Sequence, residues 1–166
     1  DTARIWDLDT RESVAALSEH LNDVVAIAWA ANGAFVVTGS LDNTLAIWDA
    51  QSWKLLRKLE GHTNDVTCLS ISPEGDRIAS GGADGLVRVW NAADGKQLSQ
   101  REFGRDIRDV AFAADGARLA VAKDHPVLDL IPVNDEQAAP YSLRGHSAAI
   151  ASVAFLPAGD QMLSAS

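Results

Sequence analysis

The segment GHTNDVTCLSISPEGDRIASGGADGLVRVWN, residues 61–91, opens on Gly-His and passes through the apolar, β-branched run VTCLSI. It then turns at Pro73-Glu74-Gly75 and closes on RVWN. The same order recurs one unit earlier in EHLNDVVAIAWAANGAFVVTGSLDNTLAIWD, residues 19–49. Trp6, Trp48 and Trp90 are spaced by 42 residues, as are His20 and His62, and His146 follows His62 at twice that interval. Val24, Trp29, Gly33 and Asp42 stand at the same offsets from His20 as Val66, Ile71, Gly75 and Asp84 do from His62. A third unit supplies Ile107, Phe112 and Gly116, and a fourth Ile150, Phe155 and Gly159. Self-similarity at 41 to 43 residues, met four times, marks a repeat architecture.

Within each unit the local pattern is that of strands. VVAIAW, VTCLSI and ASVAF are short apolar or β-branched runs. Asn32-Gly33, Pro73-Glu74-Gly75, Asp115-Gly116 and Pro157-Ala158-Gly159 follow them as hairpin turns. No long segment carries a clean helical period. About four short strands in roughly 42 residues is the period of a propeller blade. The expected fold is all-β: four-stranded antiparallel blades, with four blade equivalents present. Residues 1–18 would be the end of one blade, 19–60 and 61–102 full blades, 103–144 a degenerate blade, and 145–166 the start of a further one.

With several markers in register over essentially all 166 residues, the chain resembles the WD-repeat (tryptophan–aspartate) β-propellers. The resemblance implies a structural network in each blade. A histidine before the first strand meets an aspartate in the turn between the second and third strands. A second-strand hydroxyl and a third-strand tryptophan join them. The residues matching this pattern are His20, Thr38, Asp42 and Trp48, and again His62, Ser80, Asp84 and Trp90. The hydroxyl position is chosen internally: 38 and 80 both carry one, whereas Ser40 has Gly82 as its counterpart. Such a network, fully satisfied, would lock the strands of a blade together.

The third unit departs from the pattern. Phe103 stands for the histidine, His125 for the aspartate and Ile131 for the tryptophan, so this network cannot form and the blade should be the least rigid. Pro126 and Pro132 must lie at strand ends or free edges. Joining SAS at 164–166 to DTARIWD nearly restores a repeat, short by about two residues including the turn aspartate. That deficit favours part of a seven- or eight-bladed ring over a closed four-bladed ring or a dimeric eight-bladed one. Open strand edges make self-association an expectation.

Composition narrows the function. Acidic residues outnumber basic ones 23 to 14, which argues against nucleic acid and anionic membrane as partners. No apolar stretch reaches the ~18 residues of a membrane span. The lone Cys68 lies in an apolar run and cannot form an internal disulfide. The four histidines lack the paired spacing of zinc sites, and no phosphate-loop pattern occurs, so neither metal nor cofactor is expected. Ser80, His62 and Asp84 hold the residue types of a hydrolase triad. The same set appears in two consecutive units, however, and no nucleophile-elbow pattern surrounds Ser80, so no catalytic residue is expected. Asp23, Asp65 and Asp106 are expected to cap the turn into the first strand.

The resemblance implies a non-catalytic scaffold for proteins or peptides, using the face that carries the loop before the first strand and the turn between the second and third. Leu21, Asn22, Leu41, Asn43, Thr63, Asn64, Ala83, Lys123 and Asp124 are the candidate partner-binding residues there. The alternative is the propeller portion of a larger multidomain enzyme or regulatory protein, kinase- or protease-linked. The compartment is open, with the cytoplasm favoured.

Overall fold

The computed structural model describes residues 2–135 and 137–166 and is built of strands with no helix among them. β1 (Ala3–Trp6) and β2 (Ser13–Leu17) form a two-stranded sheet. β3 (Val24–Trp29), β4 (Phe35–Ser40), β5 (Thr44–Asp49) and β6 (Leu55–Glu60) form the first four-stranded sheet. β7 (Val66–Ile71), β8 (Arg77–Gly82), β9 (Leu86–Asn91) and β10 (Gln97–Glu102) form the second. β11 (Ile107–Phe112), β12 (Arg118–Lys123), β13 (Val127–Pro132) and β14 (Tyr141–Arg144) form the third. β15 (Ser152–Phe155) and β16 (Met162–Ala165) pair as a final hairpin. Every pairing is antiparallel and between chain neighbours, the up-and-down order of a propeller blade.

The first strand of each sheet abuts the first strand of the next: β3 meets β7, β7 meets β11 and β11 meets β15. The pleat divides each middle strand between two neighbours. Val36, Ala46 and Trp48 face back to Ala3, Ile5 and Leu17 of the opening pair. Val37, Leu45 and Ile47 face forward to Val66, Leu69, Ile71, Ile78 and Trp90 of the second sheet. The next interface joins Ala79, Val87 and Val89 to Ile107, Phe112, Leu119 and Ile131, and the last joins Ala120 and Leu128 to Ile150 and Val153. No single core exists. Stability is a sum of sheet-to-sheet interfaces, as in repeat proteins.

Two kinds of glycine make this stacking workable. Gly33, Gly75, Gly116 and Gly159 adopt positive φ in the hairpins between first and second strands, where a side chain would be strained. Gly81 lies in β8 opposite a bulge in β7, rather than in a turn. A β-carbon there would sit 2.4 Å from Ile107 of the next sheet, so its role is close approach. Pro126 precedes β13 and Pro132 ends it, so neither removes an interior ladder bond.

Candidate functional site

In the first full sheet, His20 leads into β3 and its imidazole is buried between two partners. Its Nδ1 lies 3.1 Å from Asp42 Oδ2 and its Nε2 2.7 Å from Thr38 Oγ1. A carboxylate only accepts, so Nδ1 carries the proton and Nε2 accepts from the Thr38 hydroxyl. Trp48 Nε1 donates to the same hydroxyl at 2.9 Å. The chain of donation therefore runs from tryptophan through threonine and histidine to aspartate, with every member used. The second sheet repeats it. His62 Nδ1 donates to Asp84 Oδ2 at 2.9 Å, its Nε2 accepts from Ser80 at 2.8 Å, and Trp90 Nε1 donates to Ser80 at 2.9 Å.

The carboxylates reach past the histidines into the loops. Asp42 accepts the Leu21 N–H at 2.8 Å and the Thr44 hydroxyl at 2.5 Å, and Lys58 Nζ stands 3.6 Å away. Asp84 accepts the N–H groups of Thr63 and Leu86, each at 3.1 Å. Burial opposes ionisation of Asp42. The hydrogen bonds from Thr44, Leu21 and His20 outweigh it and hold the carboxyl far below the usual carboxylate range. Burial also lowers the affinity of His62 for a second proton, against the pull of the Asp84 charge. The first effect keeps Asp42 ionised and the second keeps the His62 imidazole neutral.

These contacts set one end of the sheet stack. Backbone bonds from Leu41 N–H to Asp23 C=O, Ala83 to Asp65 and Asp124 to Asp106 tie each second-to-third turn to the loop before its first strand. The recurring contact of Asp23, Asp65 and Asp106 is thus through their carbonyls, where carboxylate caps were expected. The caps come from Asn22 and Asn64, whose Oδ1 atoms accept the next residue's N–H at 2.8 and 3.0 Å. Asn22 also donates to the Leu41 carbonyl. Leu21 is 85% exposed, and Thr63 and Asp124 are exposed beside it in this rim. Leu41, Asn43 and Ala83 are half-buried, and Asn43 holds a left-handed turn at φ 70°.

The model of the WD domain, G-beta repeat matches residues 11–49, 53–91 and 139–166, well over half of the chain. The chain belongs to the WD-repeat family. No curated protein matches it. WD-repeat domains are typically non-catalytic scaffolds that bind other proteins. The matched segments contain both histidine–aspartate networks and His146. They leave out 92–138, most of the unit in which the WD pattern is lost.

That unit is not an emptied version of its neighbours. Phe103, Val121 and Ile131 occupy the histidine, hydroxyl and tryptophan positions, and all three join one apolar interface with the second sheet. A polar network stands elsewhere in the same unit. Lys123 Nζ forms an ion pair with the buried Asp129, and Ser142 donates to the other Asp129 oxygen at 2.6 Å. The ammonium also lies 5.3 Å from the centre of the Phe103 ring, a cation–π distance. Lys123, expected on the binding rim, therefore turns its charge inward, because Asp129 is the nearest group that can neutralise it. His125 accepts the Val127 N–H and folds the turn instead of joining the rim. The following loop is anchored to the second sheet by Arg101, which donates to the carbonyls of Ala138 and Asp135.

Two further residues carry no marker in the sequence. Asp109 accepts from Ser152 and the Val153 N–H, bridging the third sheet to β15. Arg88 is buried, held by Gln97 and Gln100, and its Nε has no hydrogen-bond partner among the described residues. Their offsets in the repeat carry no family marker, so no sequence signal pointed to them. Cys68 is buried and its thiol is pushed up to about 12 by burial, so it is not a reactive thiolate.

Proposed function

We propose that this chain is a protein-interaction module that binds peptides or protein domains through the rim carrying Leu21, Thr63 and Asp124. The observation that carries this reading is the anchoring of that rim. Asp42 and Asp84 each clamp a loop N–H, so the network inside the blade fixes the backbone at the surface. The exposed side chains on those fixed loops differ from repeat to repeat, which is what a specific surface needs. An order imposed before binding lowers the entropic cost of association.

The triad-like set favours the same reading. Ser80 is fully buried, and its oxygen is already engaged by His62 and Trp90, so no substrate carbonyl can approach it. Asn22 and Asn64 are exposed but serve the turns, and Lys123 serves Asp129, which narrows the candidate contact residues to Leu21, Thr63 and Asp124. The test is affinity capture with the whole chain against the variant carrying Leu21→Glu and Thr63→Arg. Proteins bound by the native chain should be lost from the variant while both melt alike. Equal retention would refute the rim as the binding surface.

A further inference from the structure

The interfaces between the four-stranded sheets each open a groove at the end that carries the first hairpins, opposite the rim. The first groove lies between β3–β6 and β7–β10 and measures about 400 Å³. Phe35, Ile47, Leu56 and Ala92 line it, with the carboxylates of Asp49 and Asp76 beside them. Leu56 is 48% exposed on its wall.

The counterpart between the second and third sheets, about 350 Å³, is lined by Arg77, Val89, Leu98, Val133 and Asn134. Phe35 pairs with Asp49 as Arg77 pairs with Asn91, so Phe35 holds the place of Arg77. The Ala92 N–H bonds the Asp76 carbonyl as Val133 bonds Ala117, so Ala92 and Ala93 hold the places of Val133 and Asn134. In the second groove Arg77 donates to Asn134 at 2.5 Å, and these polar groups satisfy each other across the interface. Phe35 and Ala93 have no polar side-chain atom, so the first groove has no such bridge and keeps an apolar floor.

Its charges are left over in the same way. One oxygen of Asp49 accepts the Ser52 hydroxyl and N–H at 2.6 and 2.7 Å and the Gln51 N–H at 3.3 Å. The Ser52 bonds above all hold the carboxyl below the usual carboxylate range. The other Asp49 oxygen has no hydrogen bond or ion pair among the described residues. Asp76 accepts from Ser72 at 2.7 Å, stands 3.6 Å from Arg77, and its side chain is 60% exposed. Arg57 also lines the groove, but its stem lies against Gly95 and its charge is within reach of Asp94.

We propose that this groove binds an extended peptide segment of a partner protein. One apolar side chain of the segment sits on Phe35, Ile47 and Leu56, and a Lys or Arg two positions along meets Asp49 and Asp76. Alternate residues of an extended segment share a face, which sets that spacing. The volume falls among clefts that hold small ligands and suits one large side chain. β6 is the outer strand of its sheet, so its outward backbone groups are open to a segment laid alongside. The net charge of −9 draws basic segments toward the chain. The groove and the rim lie at opposite ends of the sheets, so the groove is a second binding surface.

The experiment pans random peptides displayed on phage against the native chain and three variants. Phe35→Arg with Ala93→Asn copies the Arg77–Asn134 bridge into the first groove. Leu56→Lys, at an exposed residue, sets a repelling charge on its wall and reads the groove even if the first variant fails to fold. Leu21→Glu with Thr63→Arg alters the rim alone. The native chain should enrich peptides with an apolar residue two positions from a Lys or Arg. Both groove variants should hold these about tenfold more weakly, and the rim variant should hold them unchanged. No enrichment, enrichment of peptides without a basic residue, or equal retention by Leu56→Lys would overturn the proposal. Peptides lost from the rim variant alone would overturn it too, while upholding the rim as a binding surface.

Discussion

The second and third four-stranded sheets share strand order, and their hairpins and central pairings match position for position, yet they are held by opposite means. The sheet of β7–β10 places a polar chain at its heart, from Trp90 through Ser80 and His62 to Asp84. The sheet of β11–β14 fills the same positions with Phe103, Val121 and Ile131 and places its polar groups at Lys123, Asp129 and Ser142. The lesson is that a blade needs its interior satisfied, not one particular network. A buried polar set costs several kcal/mol if one member is lost, whereas an apolar set depends on volume. The difference also has a functional side. In β7–β10 the network reaches the loop N–H of Thr63, while Lys123, Asp129 and Ser142 tie the second, third and fourth strands of their sheet to one another.

The sharpest way to break the contrast is to strip each blade of its anchor. Trp90→Ala should lose about 3–5 kcal/mol through the cavity and the freed Ser80. Asp129→Ala should lose a comparable 3–5 kcal/mol, because the Lys123 ammonium stays buried without a counter-charge. The pair Lys123→Met with Asp129→Leu should instead be neutral or more stable by about 1–4 kcal/mol. Urea unfolding of the three variants checks all of this, and a double variant no better than Asp129→Ala would refute the ion-pair account. Next in size, Ser80→Ala should cost about 1–3 kcal/mol by orphaning the Trp90 donor and the His62 acceptor. Ile131→Trp, which imports the tryptophan without its hydroxyl, should also destabilise by about 1–3 kcal/mol through overpacking beside Val121.

Acid should separate the blades as well. His62 binds its proton more weakly in the folded chain than its ordinary value of 6.5, so the unfolded chain takes up the proton first. Stability is fully present above that value and falls as pH drops below it. Asp42, held far below its ordinary 3.8, adds a second loss as pH falls beneath that range. Denaturant midpoints between pH 8 and pH 3 should show both steps, and His62→Phe should flatten the first. The smallest effect on folding belongs to the rim: Leu21→Glu should change stability by under about 0.5 kcal/mol while altering what the chain binds. Calorimetry beside a capture assay measures both.

Most of the fold was legible because it is written in a period. Trp6, Trp48 and Trp90, the glycines of the first hairpins and the histidines recur at fixed offsets, and short-range turn chemistry places the strands between them. The two hydroxyls of the network could be chosen by comparing repeats. The third unit was harder. There the sequence alone told only that the pattern was lost, since Phe103, His125 and Ile131 read as decay. That Lys123 would pair with Asp129 follows from neither residue's offset in the repeat. It depends on two adjacent strands bringing a cation and a carboxylate together in a setting where neither could remain buried unpaired.

The sequence by itself therefore determined the repeat, the all-β propeller architecture and the family, because period-2 and period-42 patterns act through the local backbone. Tertiary structure alone decided which polar groups face inward and which rim side chains are free to meet a partner. Lys123 leaves the surface and Leu21 stays on it because burial and neutralisation are set by neighbours across strands, which no spacing along the chain encodes.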